Sequence, residues 1–291
     1  MCFCILSYDR AQVFFPADRA PLESLVMENC VDCYKFVSSE GECSVKGCSP
    51  IRRCVIASLE KRFKGKSVGV VADVGCGGWS YPRDLILDGG NTWFGVDPSP
   101  DPSSPHGVDA GDASIRTHDG TVDSLPFENG EIDLVLCNQS MEHWHEYGTS
   151  FTAGLVEINR VLKAGGAVVL NMPVHYHGHP IFVKGQIGVL KELFKTSLWS
   201  QVDLNFWGKF RGPDNHYRGW ENTTLHPFDR SMLNNPPPEN SWMLEIVAKK
   251  SHVSKIGIGD YLRMKAVDQY CSLLYWTCRF SYRLGKKLKR L

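Results

Sequence analysis

A run of small apolar residues that ends in a glycine-rich turn constrains the fold of this chain more than any other feature. Residues 68–82 read VGVVADVGCGGWSYP, and the valines at their start are typical of a strand that is buried on both faces. The strand leads into Gly75 and Gly77. Glycine is needed where the backbone adopts a positive φ or approaches a ligand closely. The turn is therefore expected to lie against a ligand.

A second apolar run, Asn91–Val96, ends in Asp97, which lies 20 residues after Gly77. In doubly wound sheets, a glycine turn after the first strand and a carboxylate at the tip of the second hold a ribose-bearing cofactor. This spacing alone permits NAD. The GxG sequence, with Asp73 two residues before Gly75 and without the full GxGxxG, favours S-adenosylmethionine instead.

Apolar runs alternate with helical patterns over residues 67–250, which predicts an α/β fold with a doubly wound, mostly parallel sheet. Seven strands are expected: Val68–Val74, Thr92–Asp97, Thr121–Phe127 in the third position, Ile132–Asn138, Ala167–Asn171, Val202–Phe206 and Trp242–Ala248. The connection between the last two, at about 207–241, is interpreted as an insertion over the mouth of the site. Residues 1–66 form a cysteine-rich segment, and residues 251–291 form a basic tail.

Four segments resemble, in the right order, the motifs of class I S-adenosylmethionine-dependent methyltransferases of the type 11-like group. They are VVADVGCGG, FGVDPSP, GTVDSLPFENGEIDLVLCNQSMEHW and LVEINRVLKAGGAVVLNMP. The resemblance covers roughly residues 67–250 and implies a Rossmann-like, seven-stranded sheet that binds S-adenosylmethionine. A single such match would carry little weight, whereas four in register are specific.

The resemblance implies cofactor contacts from ten residues: Asp73, Gly75, Cys76, Gly77, Asp97, Thr121, Val122, Asp123, Asn138 and Met141. Asp97 is suited to bind both ribose hydroxyls, because a carboxylate has two acceptor oxygens. Many relatives carry an Asp early in the adenine loop, where this chain has Thr121. Thr121, Asp123 and the backbone of Val122 therefore remain alternatives for the contact with the adenine amine.

Histidines follow two strands at the edge of the sheet where the ligand is expected, and an imidazole is well matched to general-base catalysis near neutral pH. The candidates for a catalytic base are His143, His175 and His177. His143 has an alternative role in packing, because its EHW context recurs in the family whatever the substrate. The sequence HYHGH, residues 175–179, can instead bind a divalent metal, contact the substrate or form a structural loop.

The segment PVHYHGHPIFVKG also resembles the loop after strand five in methyltransferases of polysaccharide and glycolipid synthesis. We therefore expect O-methylation of a saccharide, a glycolipid or another small-molecule acceptor. Two alternatives remain, namely an RNA methyltransferase that binds through the cysteine module and the basic tail, and a catalytically silent adaptor. The 32 Lys and Arg residues balance the 32 Asp and Glu residues, so the chain lacks the charge typical of nucleic-acid binding.

The N-terminal segment contains four closely spaced cysteines: Cys30, Cys33, Cys43 and Cys48. Four thiolates can complete a tetrahedral zinc site. An iron–sulfur cluster, disulfides and free thiols are the alternatives. Cys76 and Cys137 lie in or beside expected strands, which favours free thiols there and a reducing, cytoplasmic location.

The basic tail has nine Lys or Arg residues and two Asp residues, with aromatic and aliphatic residues between them. At helical spacing this pattern is amphipathic and consistent with a helix that lies on an anionic membrane surface. The alternative is a helix that packs on the sheet and ends in a solvated basic terminus. We therefore expect the protein to be cytoplasmic, with a possible peripheral attachment to the membrane.

Overall fold

The computed structural model describes residues 50–77, 81–98, 115–174, 177–211, 217–222, 242–252 and 256–288. The strands are β1 (Val70–Val74), β2 (Thr92–Asp97), β3 (Ile115–Asp119), β4 (Ile132–Asn138), β5 (Leu162–Val174), β6 (Trp199–Arg211), β7 (Tyr217–Asn222) and β8 (Trp242–Lys250). The helices are α1 (Pro50–Phe63), α2 (Tyr81–Asp88), α3 (Phe151–Val161), α4 (Pro180–Val183), α5 (Ile187–Phe194) and α6 (Ile258–Leu288), with a 3₁₀ helix at Met141–Tyr147.

The described strands form one sheet in the order β3-β2-β1-β4-β5-β8-β6-β7. The pairs from β3 to β5 are parallel, whereas β8 runs antiparallel to both β5 and β6, and β7 runs antiparallel to β6. The strand order reverses between β1 and β4, and ligands of open α/β sheets bind at the carboxyl ends of the strands at such a point. The expected doubly wound, mostly parallel architecture is confirmed, and β7 adds an eighth strand within the expected insertion.

The expected position of the third strand, Thr121–Phe127, is wrong. The third strand is Ile115–Asp119, which pairs in parallel with β2. Residues 121–127 instead form turns, in which the Ser124 N–H donates a hydrogen bond of 3.1 Å to the Thr121 carbonyl. Pro126 lies in this segment and has no N–H to contribute to a ladder.

Successive residues of the central strands point to opposite faces of the sheet, so each face builds its own core. Ala72 and Val74 of β1 pack with residues of α3, α5 and α6 on one face. Val71 packs with residues of α1 and α2 on the other. The apolar character of β1 on both sides follows directly from this double packing.

Helix α1 precedes residue 67, where the sequence pattern places the start of the main domain, and it packs on the sheet. Its Val55, Leu59 and Phe63 are buried in the second core. The helix is also held by Glu245 of β8, which is fully buried and accepts hydrogen bonds from Ser58 Oγ and from Arg62. A buried carboxylate needs such partners, because its charge is otherwise costly to remove from water.

Helix α6 contacts α4, α5 and α3. None of the helices in the described parts of the chain has both the length and the apolar content needed to cross a bilayer.

Candidate active site

The glycine turn after β1 joins the ends of the first two strands. The Gly75 N–H donates a hydrogen bond of 2.7 Å to the Val96 carbonyl, and the Gly77 N–H donates one of 2.9 Å to Oδ2 of Asp97. Gly75 has a φ of +76° and Gly77 has a φ of +52°. A Cβ on Gly75 would lie only 2.4 Å from the Cβ of Ser140. The turn therefore depends on glycine for both its conformation and its packing.

An open cleft with an empty volume of about 580 Å³ lies at the carboxyl ends of the central strands. It is lined by residues that follow β1, β2, β3 and β4: Val74, Gly75, Asp97, Pro98, Gly120, Thr121, Val122, Gln139, Ser140, His143, Trp144, Tyr147 and Thr149. This is the position at which doubly wound sheets bind their ligands. The cleft thus brings together Gly75, Asp97, Thr121, Val122 and His143 from the sequence-based set.

Other members of that set lie behind the cleft wall. The side chains of Cys76, Asn138 and Met141 are buried, and Met141 is part of the core between the sheet and α3. Asp123 is exposed and accepts a hydrogen bond of 2.6 Å from the Thr121 hydroxyl. The structure therefore places Thr121 in the cleft and Asp123 beside it, as a partner of Thr121.

Asp73 takes part in a row of polar side chains across three neighbouring strands. Asn138 Nδ2 lies 3.5 Å from Oδ1 of Asp73, and Asn171 Nδ2 donates a hydrogen bond of 2.9 Å to Oδ1 of Asn138. Burial raises the pKa of Asp73 to about 7, although hydrogen bonds from Trp93 and Asn138 lower it. The carboxyl group is 1% exposed, so it holds the strand ends together from within the sheet.

His143 lies on the 3₁₀ helix after β4 and lines the cleft. Its Nδ1 lies 2.9 Å from Oε1 of Glu146, one turn further along the helix. A carboxylate accepts but does not donate, so Nδ1 is the donor of this hydrogen bond, and in the neutral imidazole Nε2 is then the nitrogen with the free lone pair. The pair has the arrangement in which a carboxylate fixes the tautomer of a catalytic imidazole.

A cluster of titratable groups adjoins His143. The rings of His143 and His177 have centroids 5.0 Å apart, and His177 Nε2 lies 3.9 Å from Oε1 of Glu142. Glu142 is fully buried, and within the described residues its carboxylate accepts no hydrogen bond from a neighbouring residue. Burial raises the pKa of Glu142 to about 8 and lowers the pKa of His177 to about 4. Both groups are therefore neutral near pH 7, and their contact is not an ion pair.

The same three residues offer ligand atoms that lie within 4.8 Å of one another. One carboxylate and two imidazoles form a donor set that suits zinc, so among the described residues this cluster is where a metal could bind. The cysteine site expected at Cys30, Cys33, Cys43 and Cys48 lies outside the described residues, as does His175. These assignments stay predictions.

A comparison with known families matches the part of the chain that builds the cleft. Residues 72–170 match the model of a family described as a methyltransferase domain. The matched region begins in β1, ends in β5 and contains both the glycine turn and the residues after β4. Residues 72–170, about a third of the chain, thus match a methyltransferase domain, and we call these residues the methyltransferase domain.

Two known proteins are similar to parts of this chain. The uncharacterized protein YafE of Escherichia coli (strain K12) is 41% identical over 68 residues, which are 23% of this chain and 30% of that protein. The probable methyltransferase PMT22 of Arabidopsis thaliana is 36% identical over 124 residues, which are 40% of this chain and 19% of that protein. The chain thus spans less than a third of the length of each relative.

Among solved structures, a SAM-dependent methyltransferase from Archaeoglobus fulgidus is 17% identical, with a TM-score of 0.45. The match covers 68% of this chain and 94% of that one.

The sequence patterns do not single out several residues of the cleft wall in the methyltransferase domain. Gln139, Ser140, Trp144, Tyr147 and Thr149 all follow β4 and line the cleft. Gln139 has a φ of +54°, a backbone conformation that residues other than glycine rarely adopt and that often occurs at functional sites. Their position directly after a buried strand is the signal that could have identified them, because such loops line ligand sites.

Two histidines near the cleft have structural roles. His179 Nδ1 accepts a hydrogen bond of 3.3 Å from the Ile181 N–H, and its Nε2 donates one of 3.2 Å to the carbonyl of Cys271 in α6. Burial lowers the pKa of His179 to about 3 and the pKa of His145 to about 4. Both rings pack against Tyr275 of α6, so they connect the segments after β4 and β5 with the C-terminal helix.

Proposed function

We propose that the chain transfers a methyl group from S-adenosylmethionine to a hydroxyl group of a saccharide, a glycolipid or another small molecule, with His143 as the general base. The observation that carries this proposal is the position of the His143–Glu146 pair in the same cleft as Gly75 and Asp97. The match of residues 72–170 to a methyltransferase domain supports the choice of cofactor.

The residues of the cleft fit an adenosyl group with a charged amino-acid end. Gly75 and Gly77 expose backbone without side chains, and a Cβ on Gly75 would meet Ser140 in the cleft wall. Asp97 would bind the ribose hydroxyls, and Thr121 with the backbone of Val122 would contact the adenine. The cofactor supplies an electrophilic methyl carbon on a sulfonium, so the protein must mainly align the acceptor and remove its proton.

His143 is suited to accept that proton at Nε2. Glu146 holds Nδ1–H at 2.9 Å, which keeps the ring in the required tautomer and stabilises the imidazolium formed when the proton arrives. Acid–base assistance of this kind contributes typically about 10²- to 10⁴-fold to a rate. The neutral groups Glu142, which is buried, and His177, which is half-buried, lie next to His143 and add no charge that would compete with Glu146 near pH 7.

The proposed class of acceptor rests on the walls of the cleft and on the sequence. Tyr147 offers aromatic surface and Gln139 offers a polar group, while Trp144 and Thr149 are nearly buried and form the wall behind them. The ring of Tyr147 is 57% exposed, and an exposed aromatic ring suits stacking against a sugar face. The sequence adds polar and aromatic residues in the insertion at about 207–241, whose side chains lie outside the described residues.

The test is transfer of a radiolabelled methyl group from S-adenosylmethionine to a panel of sugars, lipid-linked glycans, small phenols, RNA and protein. Binding of S-adenosylhomocysteine is measured in parallel by calorimetry. We expect His143→Gln to lower the rate by at least about 10²-fold while cofactor binding is kept. His252→Gln, at an exposed histidine outside the cleft, is the matched control and should leave both unchanged.

Three results would contradict the proposal. Labelling of RNA alone would show that the acceptor is RNA and not a small molecule. Cofactor binding without labelling of any acceptor would indicate a catalytically silent adaptor. A rate that a metal chelator abolishes and that zinc restores would assign His143 to a metal site with Glu142 and His177, and would remove its role as the base.

A further inference from the structure

Helix α6 packs on the methyltransferase domain through one of its faces. Met264, Asp268, Cys271 and Cys278 are buried, and they recur at intervals of three, four and seven residues along the same side of the helix. Met264 and Cys271 belong to the core that lies between the sheet and the helices. This buried face is enough to hold the helix on the domain, so the opposite face is not needed for that contact.

The opposite face of α6 carries a row of large apolar side chains that are exposed. They are Ile258 (80% exposed), Leu262 (61%), Leu273 (68%), Trp276 (61%) and Phe280 (68%). At 3.6 residues per turn, these positions fall within an arc of about 60° and span about 33 Å along the axis. We call this row the apolar stripe of α6. A soluble surface rarely exposes so many large apolar side chains in one line, and such a patch marks an interaction site.

The acids of α6 face the domain, whereas its C-terminal part carries only positive charge. The two acids both face the domain, where Asp260 accepts a hydrogen bond of 2.7 Å from the Ser197 N–H and Asp268 accepts one of 3.2 Å from the Thr152 N–H. The chain from residue 258 to 291 has eight Lys or Arg residues, six of which follow Trp276. None of the residues after Asp268 is acidic. Arg279 lies over the Trp276 ring, whereas Arg263 donates a hydrogen bond to the Lys195 carbonyl after α5. The positive charge next to the exposed apolar residues therefore comes from Arg279 and from the basic sequence that follows it.

We propose that α6 lies on an anionic membrane surface, with the apolar stripe inserted at the level of the lipid headgroups and acyl-chain ends. An interfacial helix has this combination of a lipid-facing apolar stripe and flanking Lys and Arg residues. Trp276 suits the location, because tryptophan is enriched at membrane–water interfaces. A cluster of cations next to the stripe attracts anionic lipids with about 1 kcal/mol per charge.

The charge distribution favours a membrane over a second copy of the chain. If two copies joined through the stripe, each would bring the six cations that follow Trp276 in the sequence, and neither of the two acids of α6 would be on that face to neutralise them. Anionic lipid supplies the missing charge. The contact is superficial, because none of the described helices is suited to cross the bilayer.

The experiment is co-sedimentation of the full chain with vesicles of phosphatidylcholine, with and without phosphatidylserine. We expect binding to the anionic vesicles and weaker binding at higher salt. A double variant with Trp276→Ser and Phe280→Ser should bind the anionic vesicles at least about tenfold more weakly, although its charge is unchanged. Replacing Arg283, Lys286 and Lys287 by glutamine should weaken binding on the order of a hundredfold. Replacing Lys61, Lys64 and Lys66 near the end of α1 removes the same charge elsewhere and should have little effect.

Light scattering after size-exclusion chromatography and thermal unfolding complete the test. The substituted side chains of the stripe are exposed, so the melting temperature should change little. Equal binding of all variants, or no preference for anionic vesicles, would overturn the proposal. A dimer that the Trp276 and Phe280 substitutions dissociate, together with no vesicle binding, would assign the stripe to a second copy. None of these measurements depends on methyl transfer.

Discussion

Substitution of Gly75 by alanine tests the geometry of the cleft wall. Gly75 has a φ of +76°, and residues other than glycine pay about 1–2 kcal/mol for the left-handed region. The new Cβ would lie 2.4 Å from the Cβ of Ser140, and overpacking of this kind costs about 1–3 kcal/mol. We therefore expect Gly75→Ala to lower the free energy of unfolding by about 2–5 kcal/mol.

Gly77 provides the matched control for the conformational part of this loss. Its φ is +52°, but no atom of the described residues lies within 4 Å of the position that a Cβ would take. Gly77→Ala should therefore cost about 1–2 kcal/mol, from backbone strain alone.

Ser140→Gly isolates the packing part. On its own it removes the hydrogen bond of 2.9 Å from the Ser140 hydroxyl to the Val74 carbonyl, for a loss of about 1 kcal/mol. In the Gly75→Ala background it should also relieve the close contact. The two substitutions together should then be about 1–3 kcal/mol more stable than the sum of the single losses indicates.

Urea unfolding of the four variants measures these differences, and calorimetry with S-adenosylhomocysteine reports on the cleft. For a domain of this size, each 1 kcal/mol corresponds to a change of about 2–4 °C in the melting temperature. Equal losses for Gly75→Ala and Gly77→Ala, with no coupling to Ser140, would refute the close packing of the turn against the residues after β4.

Three further predictions concern buried polar groups. Folding raises the pKa of Glu142 from 4.5 to about 8, so the free energy of unfolding of the wild type falls as the pH rises from about 4.5 to about 8. Over this range the Glu142→Gln variant should become more stable than the wild type, by up to about 4 kcal/mol. Urea unfolding that shows a constant difference between the two proteins would contradict this. Arg62→Met leaves the buried Glu245 carboxylate without its cation and should cost about 2–4 kcal/mol in thermal unfolding, whereas an unchanged melting temperature would contradict the contact. Asn171→Leu removes the donor to Asn138 and should cost about 1–3 kcal/mol by urea unfolding, and a gain in stability would show that the row of polar groups is not needed.

Those parts of the fold with strong local patterns could be predicted from the sequence. The strand pattern at residues 92–97 gives the bounds of β2, and the glycine turn gives the end of β1. The third strand could not be found in this way, because Ile115–Asp119 reads IRTHD, a five-residue segment with a single apolar residue and no strand-like alternation. The backbone pairing with β2 holds this strand in the sheet, and such pairing is not a local property of the sequence.

The candidate site was predictable in its location and less so in its details. Strand ends predict which loops meet, and Asp97, Thr121 and His143 do line one cleft. The sequence does not indicate which carboxylate faces the cleft and which is buried. Asp73 lies within the sheet because the amide of Asn138, from a strand 65 residues away in the chain, covers it. Such contacts depend on the packing of the whole sheet.

The polar row of Asp73, Asn138 and Asn171 also fixes the register of β1, β4 and β5. Side chains alternate along a strand, so a slip of one residue would place each polar group in an apolar layer and bring a valine, a cysteine or a leucine in its place. Apolar cores tolerate many substitutions, but they discriminate poorly between neighbouring registers. Asn138 lies level with Asn171, whereas Asp73 lies level with Leu136, two residues before Asn138. The contacts among these three side chains thus select a single alignment of the central strands, and this alignment determines which loops meet at the edge of the sheet.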